Sequence, residues 1–81
     1  MGPLELRIVS PEGVLAETTA QYVRLQATDG SLGILPGHAP MIAALAEGNV
    51  FYRGSDGAEG EVYVDRGVAE ICDNKIVIIA G

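Results

Sequence analysis

His38 and Cys72 are each the only residue of their type in this chain, and between them they bound the chemistry open to it. A thiol beside an imidazole is a nucleophile with its base. Here Cys72 closes an apolar strand pattern while His38 lies in a distant proline-rich loop. The sequence therefore predicts Cys72 to be a buried small hydrophobe rather than a nucleophile. One His and one Cys also cannot complete a zinc site from nitrogen and sulfur ligands. Carboxylates are abundant, but the acidic stretch from Asp56 to Asp73 reads as the solvated face of a hairpin. Gly30-Ser31-Leu32-Gly33 lacks the lysine and the following helix of a phosphate loop. No catalytic, cofactor-binding or metal-ligating residue is assigned.

The stretch that does stand out is Gly33-Ile34-Leu35-Pro36-Gly37-His38-Ala39-Pro40, where two prolines, two glycines and the histidine crowd among apolar residues. Proline fixes φ, so such a loop is stiff, and a stiff apolar loop loses little entropy on docking. It reads as a surface for another protein. His38 has three roles open to it: fixing the loop through a ring nitrogen, contacting the partner, or sensing pH.

The elements that must hold this loop are strands. Leu4-Glu5-Leu6-Arg7-Ile8 alternates with period two, placing Leu4, Leu6 and Ile8 on one face. Ser10-Pro11-Glu12-Gly13 is a turn, and Val14 to Glu17 returns. Tyr22 to Ala27 alternates again, with Val23, Leu25 and Ala27 inward, and Thr28-Asp29-Gly30-Ser31 ends it. Met41 to Ala46 is too short between Pro40 and Gly48 for a helix and reads as a buried strand. Val50–Arg53, Glu61–Asp65, Val68–Ile71 and Lys75–Ala80 follow, with a glycine-rich loop from Gly54 to Gly60 and a turn at Asp73-Asn74. About eight to ten short strands with frequent turns imply an all-β fold, an antiparallel β-sandwich or flattened barrel.

The chain is 81 residues long, enough for one domain, residues 1–81, with one modest core. Its net charge of −6 opposes nucleic-acid binding and direct adsorption to anionic lipid. No apolar run approaches the roughly 20 residues of a membrane-spanning helix, so direct membrane insertion is not expected. A single cysteine excludes an internal disulfide, and no signal-peptide pattern is present, so the chain reads as cytosolic.

Leu6 to Gly13, then Gly30-Ser31-Leu32-Gly33-Ile34-Leu35-Pro36-Gly37-His38-Ala39-Pro40-Met41, then Gly67 to Ile71 and Asn74 to Ala80 carry a resemblance over nearly the whole chain. The sequence resembles the amino-terminal domain of the epsilon subunit of bacterial F-type ATP synthases, with the Pro-Gly-His-Ala-Pro motif its most specific part. The resemblance implies a β-sandwich in the central rotor stalk, at the cytoplasmic face of the bacterial inner membrane. It further implies a non-catalytic subunit without cofactor, linking the gamma subunit to the membrane c-ring so that proton-driven rotation reaches the catalytic head. By position, the turn Asp29, Gly30, Ser31 and Leu32 and the loop Ile34, Leu35, Pro36, Gly37, His38, Ala39 and Pro40 would face the c-ring. His38 would lie where gamma and ring meet, and Met41, Ile42 and the exposed apolar side of neighbouring strands would support gamma.

The chain departs from that family pattern at two places. Gln26-Ala27 stands where Pro-Gly is usual, and Arg66-Gly67 where Gly-Gly is usual. It also ends at Gly81, before the helical hairpin of typical epsilon subunits, which implies a shortened or naturally short member; neither inhibition of hydrolysis nor nucleotide binding is therefore expected. Two other readings compete. One is a lipoyl-type carrier with Lys75 at a hairpin tip, and the other a free-standing ligand-binding sandwich.

Overall fold

The computed structural model describes residues 2–81, and every regular element in them is a strand. In chain order these are β1 (Leu4–Ser10), β2 (Gly13–Ala20), β3 (Tyr22–Ala27), β4 (Gly30–Ile34), β5 (Met41–Leu45), β6 (Gly48–Arg53), β7 (Glu59–Val64), β8 (Gly67–Cys72) and β9 (Lys75–Ala80). Pairing runs β2-β1-β9-β8-β5-β3-β6-β7, with β4 added to β3. This continuous sheet folds into two layers. One is β2-β1-β9-β8-β5, the other β4-β3-β6-β7, and they join where Ala27 pairs with Leu45. The hydrogen bonds from the Thr28 N–H to the Ala44 carbonyl and from the Ala46 N–H to the Gln26 carbonyl seal that join.

Period-two patterning builds the core. Leu4, Leu6 and Ile8 of β1 meet Ile76 and Ile78 of β9, Ala69 and Ile71 of β8, and Val23 and Leu25 of β3, all essentially without solvent exposure. No polar or charged residue among those described is buried. The stabilisation is therefore aliphatic burial plus a ladder of backbone hydrogen bonds.

The flattened barrel matches the sequence reading, and four details differ. All pairings are antiparallel except β1 with β9, which run parallel. No hairpin joins these two strands, which lie at opposite ends of the sequence, so no turn dictated their direction. Gly30–Ile34, read as turn and loop, is a strand laddered to β3 from Val23↔Ile34 to Ala27↔Gly30. Its glycines and serine have poor β propensity, but the ladder with β3 overrides it. Met41–Leu45 is not buried throughout, since only Met41, Ala43 and Leu45 point inward and Ile42 is 70% exposed. Finally, Cys72 is exposed. With Ile71 in the core, alternation turns the next side chain outward.

Candidate partner interface

The proline-rich loop is built as a clamp. Leu35-Pro36-Gly37-His38 closes a turn in which the His38 N–H donates to the Leu35 carbonyl at 3.1 Å. Pro36 supplies the fixed φ of the second position, and Gly37, at φ 89°, takes the third position that a type II turn reserves for glycine. The His38 Nδ1 lies 2.7 Å from the Ala39 carbonyl, the geometry of an Nδ1–H that fixes the loop. Of the three roles open to His38, this contact supports the first.

A second tie comes from across the chain. The Gly37 N–H donates to Asn74 Oδ1 at 2.7 Å. Asn74 sits in the β8–β9 turn, where Asp73 (φ 51°) and Asn74 (φ 61°) both have the left-handed backbone of a type I′ hairpin. The Asn74 carbonyl accepts from the Glu5 N–H at 2.8 Å, and its Nδ2 donates to the Gly2 carbonyl at 3.4 Å. Asn74 thus pins the loop to the turn through its side chain and, through side chain and carbonyl together, to Gly2 and the start of β1. Sequence reading took Asp73-Asn74 as a turn but saw no link to the loop, because that link spans 37 positions. The only local signal was an Asn where a turn already accounted for it.

The loop is therefore not distant from Cys72, yet no dyad forms. Gly37, His38, Pro40, Asp73 and Asn74 line one shallow groove, and His38 is engaged with Ala39. The Asp73 charge, before the smaller effect of desolvation, pushes the Cys72 thiol pKa up, which is the opposite of nucleophile activation. Lys75 does not stand at a hairpin tip either. It opens β9, pairs with Cys72 and Glu5, and leaves Asp73 and Asn74 at the tip.

The acidic turn occupies a different place. The tight turn itself is Thr28-Asp29, while Gly30, Ser31 and Leu32 belong to β4. Asp29, Gly30, Ser31 and Leu32 share a groove of about 410 Å³ with Met41, Ile42, Ala43 and Ala44. The structure thus brings the turn bearing Asp29 to Met41 and Ile42, while loop residues 35–40 lie at the opposite end of β4. Within that groove Met41 packs against the core and Ile42 faces solvent. Leu35 is exposed, and Ile34 is buried in the core.

The largest feature was only outlined by the sequence as an exposed apolar side of strands. Register places Ala44 opposite Val68, Val68 opposite Ile79, Ile79 opposite Val9, and Val9 opposite Val14. These five residues form one row across β5, β8, β9, β1 and β2 on the outward face. Val14, Val68 and Ile79 are 54%, 46% and 59% exposed. Four strand spacings make the row roughly 19 Å long. In the adjoining row, Ile42, Glu70, Val77, Arg7 and Glu17, only two of the five residues are apolar, and the Arg7–Glu17 pair at 3.4 Å closes it with charge. A contiguous apolar band with a charged border is the anatomy of a protein interface.

Residues 3–81 match the family model described as ATP synthase, Delta/Epsilon chain, beta-sandwich domain. The chain belongs to that family. The ATP synthase epsilon chain of Lawsonia intracellularis is 38% identical over 76 residues, which are 94% of this chain and 56% of the relative. That of Campylobacter fetus is 35% identical over 79 residues, covering 98% and 61%. The chain spans a little over half the length of these relatives. Among solved structures, a chain of the Euglena gracilis mitochondrial ATP synthase, determined as OSCP/F1/c-ring, superposes with a TM-score of 0.90 at 17% identity. It is covered to 51%, and this chain to 99%. A chain of the Tetrahymena thermophila mitochondrial ATP synthase central stalk and c-ring gives 0.78 at 18% identity, with 98% of this chain and 63% of that one aligned. These two likenesses bear on the fold of this epsilon-type domain.

The backbone bears on one departure noted in the sequence. Arg66 has φ 66° and Gly67 has φ 146°, so the place where the resemblance implied Gly-Gly holds two consecutive residues of positive φ. A Cβ at Gly67 would lie 2.1 Å from the Ile79 carbonyl oxygen, so only the first of the two positions tolerates a side chain.

Proposed function

We propose that this chain is a non-catalytic central-stalk element of an F-type ATP synthase, at the cytoplasmic face of a bacterial inner membrane, that links the gamma subunit to the c-ring. The observation that carries the reading is the outward apolar row Ala44, Val68, Ile79, Val9 and Val14. A free-standing domain gains nothing from a solvent-facing apolar band, whereas a stalk subunit covers it with gamma. Ile42 extends the band toward the Asp29–Leu32 groove, and that acidic lip with the pinned Leu35–Pro40 loop would face the ring.

The physics of torque transmission favours this arrangement. A coupling element must not yield under load, and the loop is fixed by Pro36, by the His38–Ala39 contact and by Asn74. The Asp29 carboxylate at the groove speeds encounter with basic loops more than it raises affinity. No residue among those described combines a nucleophile with a base, so the chain is expected to transmit rotation and not to hydrolyse nucleotide.

The test is association with the purified gamma subunit. Ile79→Glu should weaken binding at least about tenfold, since a charge then has to be buried against apolar surface. Its melting temperature should stay near the parent value because Ile79 faces solvent. Undiminished binding by this variant, or ATPase activity of the isolated chain, would overturn the proposal.

A further inference from the structure

Among the described residues, β2, β7 and β4 each have a hydrogen-bonded neighbour strand on one side only. An unpaired edge is a template for another strand, and proteins guard such edges with charge or with a bulge. β2 carries Glu17 and a register shift against Ile8 and Val9, and β7 carries Glu59 and Glu61. β4, Gly30-Ser31-Leu32-Gly33-Ile34, has no charge, no proline and no bulge in its ladder to β3. It is the bare edge of this fold.

The join between the layers settles which groups that edge offers. The Gln26 carbonyl accepts from the Ala46 N–H and the Thr28 N–H donates to the Ala44 carbonyl, so these even-numbered positions of β3 face away from β4. Val23, Leu25 and Ala27 therefore bond to Ile34, Leu32 and Gly30, and Ser31 and Gly33 turn their N–H and C=O groups to the free side. Both residues are exposed, and with a hydroxymethyl group and a hydrogen for side chains they put nothing bulky beside those groups.

This strand is complementary to itself. With two copies antiparallel about a two-fold axis at Leu32, Ser31 of each faces Gly33 of the other, and the two free N–H and two free C=O groups per chain close in four hydrogen bonds. An axis at Ser31 or at Gly33 would engage only half of them within the strand. In the Leu32 register Leu32 meets its own image and Asp29 lies opposite Leu35, so no charged residue faces its like. Leu35 and Ile42, 60% and 70% exposed, lie near this edge, Leu35 just past the end of β4 and Ile42 in the groove that Ser31 and Leu32 also line.

We propose that the free chain pairs with a second copy of itself through β4, joining the two β7-β6-β3-β4 layers into one continuous sheet. Such an isologous contact closes at two chains, whereas β4 laid on β2 or β7 of another copy would propagate. The pairing occupies the edge of the Asp29–Leu32 groove, so a paired chain cannot seat that groove on another partner. The inference rests on the edge alone, not on the place proposed for the chain in the stalk. Its contact area is small, which sets the dimer at about 0.1–1 mM.

The experiment follows the 81-residue chain by sedimentation equilibrium and amide NMR from about 10 µM to about 1 mM. The mass should rise from 8.4 kDa toward twice that value and go no further, with the concentration-dependent shifts centred on Ser31, Leu32 and Gly33. Ser31→Pro removes the N–H aimed at the second copy and spares the ladder to β3. It should weaken pairing roughly tenfold or more while the melting temperature of the dilute chain stays near the parent's. Leu32→Cys in a Cys72→Ser background reads the register without a proline, and so decides the matter should Ser31→Pro fail to fold. Leu32 meets its image in a non-hydrogen-bonded pair with Cα atoms about 4.5 Å apart, within disulfide reach. Oxidised glutathione should link that variant into dimers at least about tenfold faster than Glu61→Cys in the same background. A mass that stays at 8.4 kDa throughout, assembly beyond two chains, shifts centred on β2 or β7, a folded Ser31→Pro that pairs like the parent, or equal cross-linking of the two cysteine variants would overturn the proposal.

Discussion

The Cys72 thiol faces solvent at the end of β8, next to the acidic residue that opens the turn. That neighbour decides its chemistry. A nearby negative charge disfavours the thiolate, so the thiol pKa is raised, chiefly by Asp73. Below that pKa a raised value means less thiolate and slower alkylation. Asp73→Asn should therefore speed iodoacetamide alkylation of Cys72 at mildly alkaline pH, each unit of pKa being worth about tenfold in thiolate. Asn tolerates the left-handed backbone of that position, so the turn survives. Equal alkylation rates would show that Asp73 does not control the thiol. The sequence misplaced Cys72 because residue type favours burial, and alternation along β8 overrules it by one position.

At the scale of the element, the hairpin turn and the proline loop act as one piece. Asn74→Gly keeps a residue that accepts φ near 60° but removes the acceptor for the Gly37 N–H. Amide exchange at Gly37 should quicken by roughly fivefold, in line with a net hydrogen bond of about 1 kcal/mol. Amides within β8 and β9 should exchange as before, and unchanged protection of Gly37 would mean that the prolines alone hold the loop. The strands with alternating apolar residues, such as β1 and β3, were readable from sequence because burial selects every second side chain. β4 was not. Its Gly30-Ser31-Leu32-Gly33-Ile34 has no alternation to read, and only the ladder to β3 makes it a strand.

For the whole molecule, the division between inside and outside is sharpest at two adjacent isoleucines of β9. Ile78 is fully buried and Ile79 is 59% exposed. Ile78→Ala should cost about 2–5 kcal/mol and lower the melting temperature by roughly 10–30 °C. Ile79→Ala should change stability by less than about 1 kcal/mol. Similar losses for both, measured by thermal unfolding, would mean that the outer row is core rather than interface. What the amino-acid order determined by itself was local: period-two burial, the Pro-Gly turn and the Asp-Asn hairpin, because each depends on backbone preferences and neighbours a few positions apart. Only the tertiary structure decided that Asn74 reaches Gly37, that Val9, Val14, Ala44, Val68 and Ile79 line up, and that β4 keeps a free edge. Those arrangements depend on register between strands distant in sequence, and register is set by the packing of the closed sheet as a whole.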